Sequence, residues 1–396
     1  MNLQDRDETR AVSPERRPSR VPLAEPGGLE MDATKPPLHR RFGLTLAVTA
    51  DCNLRCSYCY AGEKSARTMP EALGRLAIDR AAASVAPGGR LELGFFGGEP
   101  LLESGLVLRL VAHARERASR TGLELVPGLT TNGTLALGAA WELLMLPGLE
   151  LAVSCDGLPE VHDRHRRCAD GRGSFAAVLS TMRRLRAAGR DFSAAVAVRP
   201  DSLDELARSL EFLRDEGAAR AVLSLDVWAD WRPEDLPRLE LAVAGCADLW
   251  AASLPGFGVS WFDDKAALLA GKGEPVGRRC GFGEWELAVA PSGRLYPCER
   301  LIGDDSPGNP ARLPGLASDA GGATPFAPRR FPQRSALACG RCTAGLLCTT
   351  TCRCNNLVRT GDASRPDRLL CTLEKSCLRE TLRALGHLQA VEARAG

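Results

Sequence analysis

Cysteine constrains this chain more than any other residue. Fifteen are present among 396 residues, with three inside Cys52–Cys59 and nine inside Cys280–Cys377. The N-terminus, MNLQDRDETRAVSPERRPSR, carries charges where an export signal needs an apolar core, which predicts a cytoplasmic protein. Disulfides are rare in that reducing compartment, so clumped thiols point to metal ions or iron–sulfur clusters. The charge balance excludes other roles. Lys+Arg (51) nearly cancel Asp+Glu (49), leaving no field to steer nucleic acid or an anionic membrane. The longest uncharged stretch, Leu125 to Trp141, is broken by Pro127 and polar turn residues, so no span of a bilayer is expected.

Residues 1–40 carry six prolines, many charges and no apolar period, and read as a disordered tail. From Phe42 short apolar runs alternate with amphipathic stretches. Gly43–Val48, Leu91–Phe96, Leu123–Leu129, Leu149–Cys155, Phe192–Val198 and Ala221–Val227 read as strands. Helical patterns lie between them at Pro70–Ser84, Ser104–Ser119, Phe175–Ala188 and Ser202–Asp215, with Pro70 suited to a first turn and Gly189 to a stop. Six such βα units predict an α/β fold with a parallel sheet, open or curled into a partial (β/α)6 TIM-like barrel. Chemistry then gathers where strand carboxyl ends open into loops. The alternation stops after about Trp261. Residues 303–335 are rich in Gly and Pro, and a small cysteine-rich unit there would fold around its metal. A last helix is expected over Ser376–Val391.

Directly after the first strand comes Asp51-Cys52-Asn53-Leu54-Arg55-Cys56-Ser57-Tyr58-Cys59. Three thiolates on one loop bind three irons of a cubane and leave the fourth iron open to a small molecule. A structural zinc site prefers four ligands in paired knuckles, and no fourth lies nearby. Cys-x3-Cys-x-Tyr-Cys after strand one resembles the signature loop of the radical S-adenosylmethionine (SAM) enzymes. Phe96-Gly97-Gly98-Glu99-Pro100, ending strand two, resembles that family's methionine-binding turn. Gly97 and Gly98 would let backbone carbonyls approach the SAM ammonium, and Glu99 would supply it a carboxylate. The resemblance further implies that Asn132 after strand three, and Ser154 and Asp156 after strand four, reach the SAM ribose and carboxylate. Asn-Gly and Asp-Gly are also ordinary turn formers. Tyr58 would stack near adenine, or simply pack at the barrel mouth.

The second group runs Cys280, twelve residues, Gly293, four residues, Cys298, then Cys339-x2-Cys342-x5-Cys348-x3-Cys352, and finally Cys371. A tandem zinc ribbon would repeat its knuckle spacing, and this series does not. The order resembles the SPASM domain, which carries two auxiliary [4Fe–4S] clusters in peptide-modifying radical SAM enzymes. That resemblance assigns Cys339, Cys342, Cys348 and Cys371 to an outer cluster and Cys280, Cys298 and Cys352 to an inner one. Some relatives place a further cysteine just before the Cys280 position. This chain has none there, which leaves an open iron, Cys354 or a carboxylate as alternatives. Cys377 has no assigned role, and Cys155, Cys168 and Cys246 read as buried thiols.

The resemblance implies domains at 1–40 (tail), 41–265 (radical SAM partial barrel), 266–378 (SPASM) and 379–396 (C-terminal helix). It also implies three [4Fe–4S] clusters, bound SAM, and reductive cleavage of SAM to a 5′-deoxyadenosyl radical. That radical would abstract hydrogen from a ribosomally made precursor peptide to install a cross-link or an oxidation. A flavodoxin- or ferredoxin-type donor would supply electrons. Val153–Phe175 resembles a segment of sulfatase-maturing enzymes, with His162 and Arg166 expected to shape the peptide cleft. Glu299 stands where those enzymes carry an aspartate base, one methylene longer here. Formylglycine formation in sulfatases, a small-molecule dehydrogenation, or a non-catalytic iron–sulfur electron carrier are the alternatives. A carrier needs neither an open iron nor the Gly97–Glu99 turn. Few residues precede strand one, so leader recognition would fall to a separate protein or to the core itself.

Overall fold

The computed structural model describes residues 38–272, 280–327 and 352–395, with residues 339, 342, 344, 345, 347 and 348 between them. Most of the expected tail lies outside the described residues. His39 and Arg40 do not belong to it: they begin β1 (His39–Thr49), where the His39 amide donates to Ser84 O at 2.9 Å.

Along the chain follow α1 (Glu71–Ala83), β2 (Val85–Gly97), α2 (Ser104–Thr121), β3 (Glu124–Thr131), α3 (Ala139–Leu144) and β4 (Glu150–Ser154). Then come α4 (Pro159–His165), α5 (Phe175–Ala187), β5 (Ser193–Val198), α6 (Leu206–Asp215) and β6 (Arg220–Leu225). The remainder is α7 (Asp235–Ser253), β7 (Gly258–Val259), α8 (Ser260–Leu269), β8 (Glu286–Val289), β9 (Leu295–Tyr296), α9 (Arg353–Thr360) and α10 (Arg368–Ala395). All six expected strands are present. Local chemistry explains the boundaries: Pro70 precedes α1 with Glu71 in its first turn, and Gly122 ends α2 at φ 66°.

The sheet runs β7-β6-β5-β4-β3-β2-β1-β8-β9, parallel throughout except for β9 against β8. Each of β2 to β7 is added beside its predecessor, so the crossover helices gather on one face and the sheet curls into an open, partial barrel. Alternate β1 residues Phe42, Leu44, Leu46 and Val48 enter the core beneath those helices, with β2 contributing Leu91, Leu93 and Phe95. The other face of each strand lines the barrel interior.

The parallel sheet does not end with the expected alternation. β8 joins the free edge of β1 in parallel, from Gly43↔Glu286 to Leu46↔Val289. A four-residue strand after a long connection carries too little periodicity to be read from sequence. The Gly- and Pro-rich stretch is fastened to the barrel by Arg80 of α1. Its guanidinium lies 4.3 Å from the Phe326 ring centroid and donates to Leu316 O, Ala317 O and Thr324 O. The last helix starts earlier than Ser376, because Asp367 caps it: its carboxylate accepts from the Leu370 amide at 3.0 Å. Among the described residues no helix is long and apolar enough to cross a membrane.

Candidate active site

Cys52, Cys56 and Cys59 occupy the loop after β1, and the segment after α4 clamps that loop in place. The Arg55 amide donates to Arg167 O at 2.7 Å, the Ser57 amide to His165 O at 3.0 Å, and Leu54 bridges Cys168. The Ser57 hydroxyl pairs with His165 Nδ1 at 2.7 Å, and His165 Nε2 with Asp201 Oδ2 at 2.9 Å. No disulfide joins the described cysteines. Burial pushes Cys56 up to about 11, with Arg166 pulling the other way, and Lys64 Nζ lies 3.0 Å from Cys59 Sγ. Three half-buried thiols on one loop, with a cation beside Cys59, suit a metal that displaces thiol protons on binding. The donor set therefore fits a cubane with one iron lacking a protein ligand.

The Gly97-Gly98-Glu99 turn abuts this loop, and its glycines are needed for that packing. A Cβ on Gly98 would lie 1.9 Å from Asp51 O, and one on Gly97, at φ 141°, 2.4 Å from Thr49 O. The space is filled by the cysteine loop's own backbone, joined by Gly98 N to Thr49 O and Glu99 N to Asp51 O, both 2.8 Å. Glycine is required for that approach. Glu99 is 1% exposed. Its carboxylate accepts from the Leu101 amide (2.9 Å), the Thr131 hydroxyl (2.6 Å) and the Asn132 amide (2.7 Å). Burial raises its pKa, and these three donors oppose the rise.

Asn132 faces the loop as well: its amide donates to Asn53 Oδ1 at 2.9 Å, while its oxygen accepts from the Thr134 amide and hydroxyl. The Ser154 side chain, 9% exposed, reaches the cavity from the end of β4. Asp156 does not. It lies behind Tyr58, accepting from the Tyr58 hydroxyl (2.5 Å), Arg166 Nε (3.0 Å) and the Ala197 amide (3.0 Å). The Tyr58 ring also has the Arg166 and Arg199 guanidiniums at 5.3 and 5.9 Å from its centroid.

His162 does not shape a cleft. It is 0% exposed, with Nε2 against Ser174 Oγ at 2.9 Å and its ring edge on Phe175. Burial pushes its pKa down to about 4. Arg166, by contrast, lines the cavity.

That cavity has a volume of about 360 Å³ and opens at the carboxyl ends of β1 to β6. Cys52, Cys56, Cys59, Tyr58, Gly97, Gly98, Glu99, Asn132 and Ser154 line one side, and Glu299 and Arg300 the other. Between them stands an aromatic stack absent from the sequence reading. Tyr60 lies between Phe96 (centroids 6.0 Å, planes 1° apart) and Trp228 (5.4 Å, 17°). The Arg300 guanidinium covers both Tyr60 (5.5 Å) and Trp228 (5.1 Å). Four distant positions converge here, and no local spacing signals it. Cys298 Sγ is 3.5 Å from Glu299 Oε2, which ties the second cysteine group to a residue lining the cavity.

Cys280, Cys298, Cys352 and Cys354 pack together around Phe282 and Leu357. Cys371 is close enough to Cys339 and Cys348 to feel their charge, and the Cys342 amide donates to Cys339 O at 3.1 Å. Eleven of the fifteen cysteines thus fall into three groups, with Cys155, Cys168, Cys246 and Cys377 outside them. Among the described residues no three thiol, imidazole or carboxylate groups converge as a single-ion site would. A cubane instead spreads its ligands over separate irons. Glu286 of β8, unnoticed in sequence, lies beside Cys280; burial, then Glu299, pushes it up to about 7.

Residues 46–213 match the family model described as the Radical SAM superfamily. The chain carries a radical SAM domain. It is 28% identical over 336 residues to the serine-type anaerobic sulfatase-maturating enzyme of Klebsiella aerogenes, across 76% of each protein. It is 26% identical to the PqqA peptide cyclase of Granulibacter bethesdensis, across 85% of this chain and 88% of that one. Its fold is similar to native anSMEcpe with bound AdoMet and Kp18Cys peptide, with TM-score 0.71 at 18% identity, covering 88% of this chain and 99% of that chain. Streptococcus suis SuiB bound to precursor peptide SuiA gives TM-score 0.58 at 13% identity, over 84% and 76%. These structures establish shared architecture. Radical SAM proteins bind a [4Fe–4S] cluster and SAM, and the three-thiol loop of this chain accords with that.

Proposed function

We propose that this radical SAM enzyme modifies a peptide, abstracting hydrogen to install a cross-link or an oxidised residue. The observation that carries the reading is one cavity lined by the cysteine loop and Glu99 together with Glu299 and Arg300, with Cys298 against Glu299. Cys52, Cys56 and Cys59 would hold the first cluster. The Glu99 carboxylate, Asn132 and Ser154 would orient SAM. When bound, these groups supply one-electron chemistry able to take hydrogen from an unactivated carbon. The chain's own part is placement and exclusion of water. Tyr60, Phe96 and Trp228 form an apolar floor on which a peptide side chain would rest, and Arg300 would anchor a carboxylate or a backbone carbonyl. Glu299 would take a proton from the substrate.

Residues 41–265 would form the catalytic barrel and 266–378 an auxiliary-cluster unit, with Cys339, Cys342, Cys348 and Cys371 on an outer centre. The peptide-modifying and sulfatase-maturating relatives support a peptide substrate. Formylglycine formation is the second reading, supported by the Klebsiella relative and opposed by a glutamate at position 299 where sulfatase-maturing enzymes carry an aspartate. Co-expression with each short reading frame beside the gene tests both. A peptide that loses two hydrogens only when Cys52, Cys56 and Cys59 are intact supports the first reading. A co-expressed sulfatase gaining an aldehyde supports the second.

A further inference from the structure

Cys354 falls outside the seven-cysteine pattern, two residues beyond the last member of its crowded run. It is 3% exposed, in the first turn of α9, and its surroundings differ from those of the other buried thiols. Cys155, Cys246 and Cys377 sit within the apolar core of the barrel and its helices. Cys354 shares a separate small core with Phe282 and Leu357, and the residues packed around it include Cys280, Cys298 and Cys352. Its Sγ lies 3.2 Å from Cys352 Sγ and also makes a side-chain contact with Cys298. Arg300 stands over the group, its guanidinium donating to Asn355 Oδ1 at 2.6 Å and Leu225 O at 3.3 Å. A half-buried cation close to Cys298, Cys352 and Cys354 offsets part of the net negative charge that four thiolates bring to a cubane.

Resting on the reading of this region as an auxiliary-cluster unit, we propose that Cys354 is the fourth protein ligand of the inner cluster, with Cys280, Cys298 and Cys352. The Cys352–Cys354 contact parts on loading, since two ligands of one cubane bind different irons and each side chain has one χ1 rotation to do it. Glu286, the nearest rival, has one carboxylate oxygen on the Gly281 amide at 3.0 Å, whereas the Cys354 thiol is already in contact with the Cys352 and Cys298 thiols. The consequence is functional. With four thiolates in place no inner iron is open, so substrate binds the cavity through side chains and never through this metal.

The test uses the full chain with Cys52, Cys56 and Cys59 replaced by Ala and reconstituted with iron and sulfide, so that only the auxiliary centres report. Expected are about eight irons per chain and a reduced-state electron paramagnetic resonance spectrum indifferent to added 2-mercaptoethanol. Adding Cys354→Ala makes the spectrum respond to the thiol or lowers iron to about four, while Glu286→Gln does neither. A thiol-sensitive spectrum before Cys354 is altered overturns the proposal, whatever any Cys354 variant does to folding. Retention of full iron and an indifferent spectrum in Cys354→Ala overturns it too, as does loss of iron in Glu286→Gln instead. A parent chain that takes up zinc and no iron refutes the auxiliary-cluster reading itself and the proposal with it.

Discussion

His162 shows how one side chain ties the active-site loop to the pH at which the protein stays folded. The Ser174 hydroxyl donates to Arg166 O at 2.7 Å, so it accepts from His162 Nε2–H, and the imidazole is neutral. Its pKa falls from 6.5 to about 4 because burial disfavours the imidazolium. Between those values the unfolded chain binds a proton that the folded chain refuses. Stability is therefore lost as pH falls through about 6.5, and the loss levels off near 4. The His162 contribution at pH 5 is about 2 kcal/mol below that at pH 7. Denaturant titrations at both pH values should show His162→Asn losing about that much less than the parent on acidification. An identical acid loss in both proteins would assign the effect to carboxylates.

The cysteine loop and the Gly97–Glu99 turn behave as one element, because backbone meets backbone with no room for a side chain. Gly98→Ala puts a methyl carbon 1.9 Å from Asp51 O, so the loop must move. The variant should bind about four fewer irons than the parent and lose SAM cleavage, while its auxiliary centres load normally. Full iron with normal SAM cleavage would show that the contact yields. Here the limits of sequence are instructive. Strands of six or more alternating residues, and thiols three or four apart on one loop, announce themselves locally. The role of Gly98 does not, since the atom that demands glycine belongs to Asp51. The stack of Tyr60, Phe96, Trp228 and Arg300 is hidden for the same reason: four loops supply it, and only the barrel brings them together. The burial of His162 is hidden too, because a histidine in a charged segment reads as exposed, whereas the turn after β4 folds it inward. Cys354 stood in plain view, and the fold supplied its neighbours.

Across the whole molecule, three thiol groups predict about twelve irons per chain after anaerobic reconstitution. A Cys56→Ala chain should retain about eight and cleave no SAM. A parent value near four would leave only the loop after β1 as a cluster site. α8 and α10 are pinned across the molecule by Lys265 Nζ and Glu374 Oε1, 2.8 Å apart and almost wholly buried. Lys265→Met, by leaving that carboxylate without its ammonium, should cost about 3–5 kcal/mol, read from chemical denaturation. A change below about 1 kcal/mol would mean that Glu374 finds compensation elsewhere.

The pairing of β8 with β1 also governs how the protein behaves in a crowded cell. The nine-stranded sheet ends on both flanks in strands of two residues, Gly258–Val259 and Leu295–Tyr296, which leave little ladder for another chain to grip. Cutting away everything after residue 272 would bare the eleven-residue β1 along the Gly43–Leu46 ladder. A strand of that length, presenting unsatisfied amides and carbonyls, is a template for its own copies. The cysteine-rich unit thus doubles as a guard against self-association, and a barrel expressed without it should precipitate before its chemistry can be assayed.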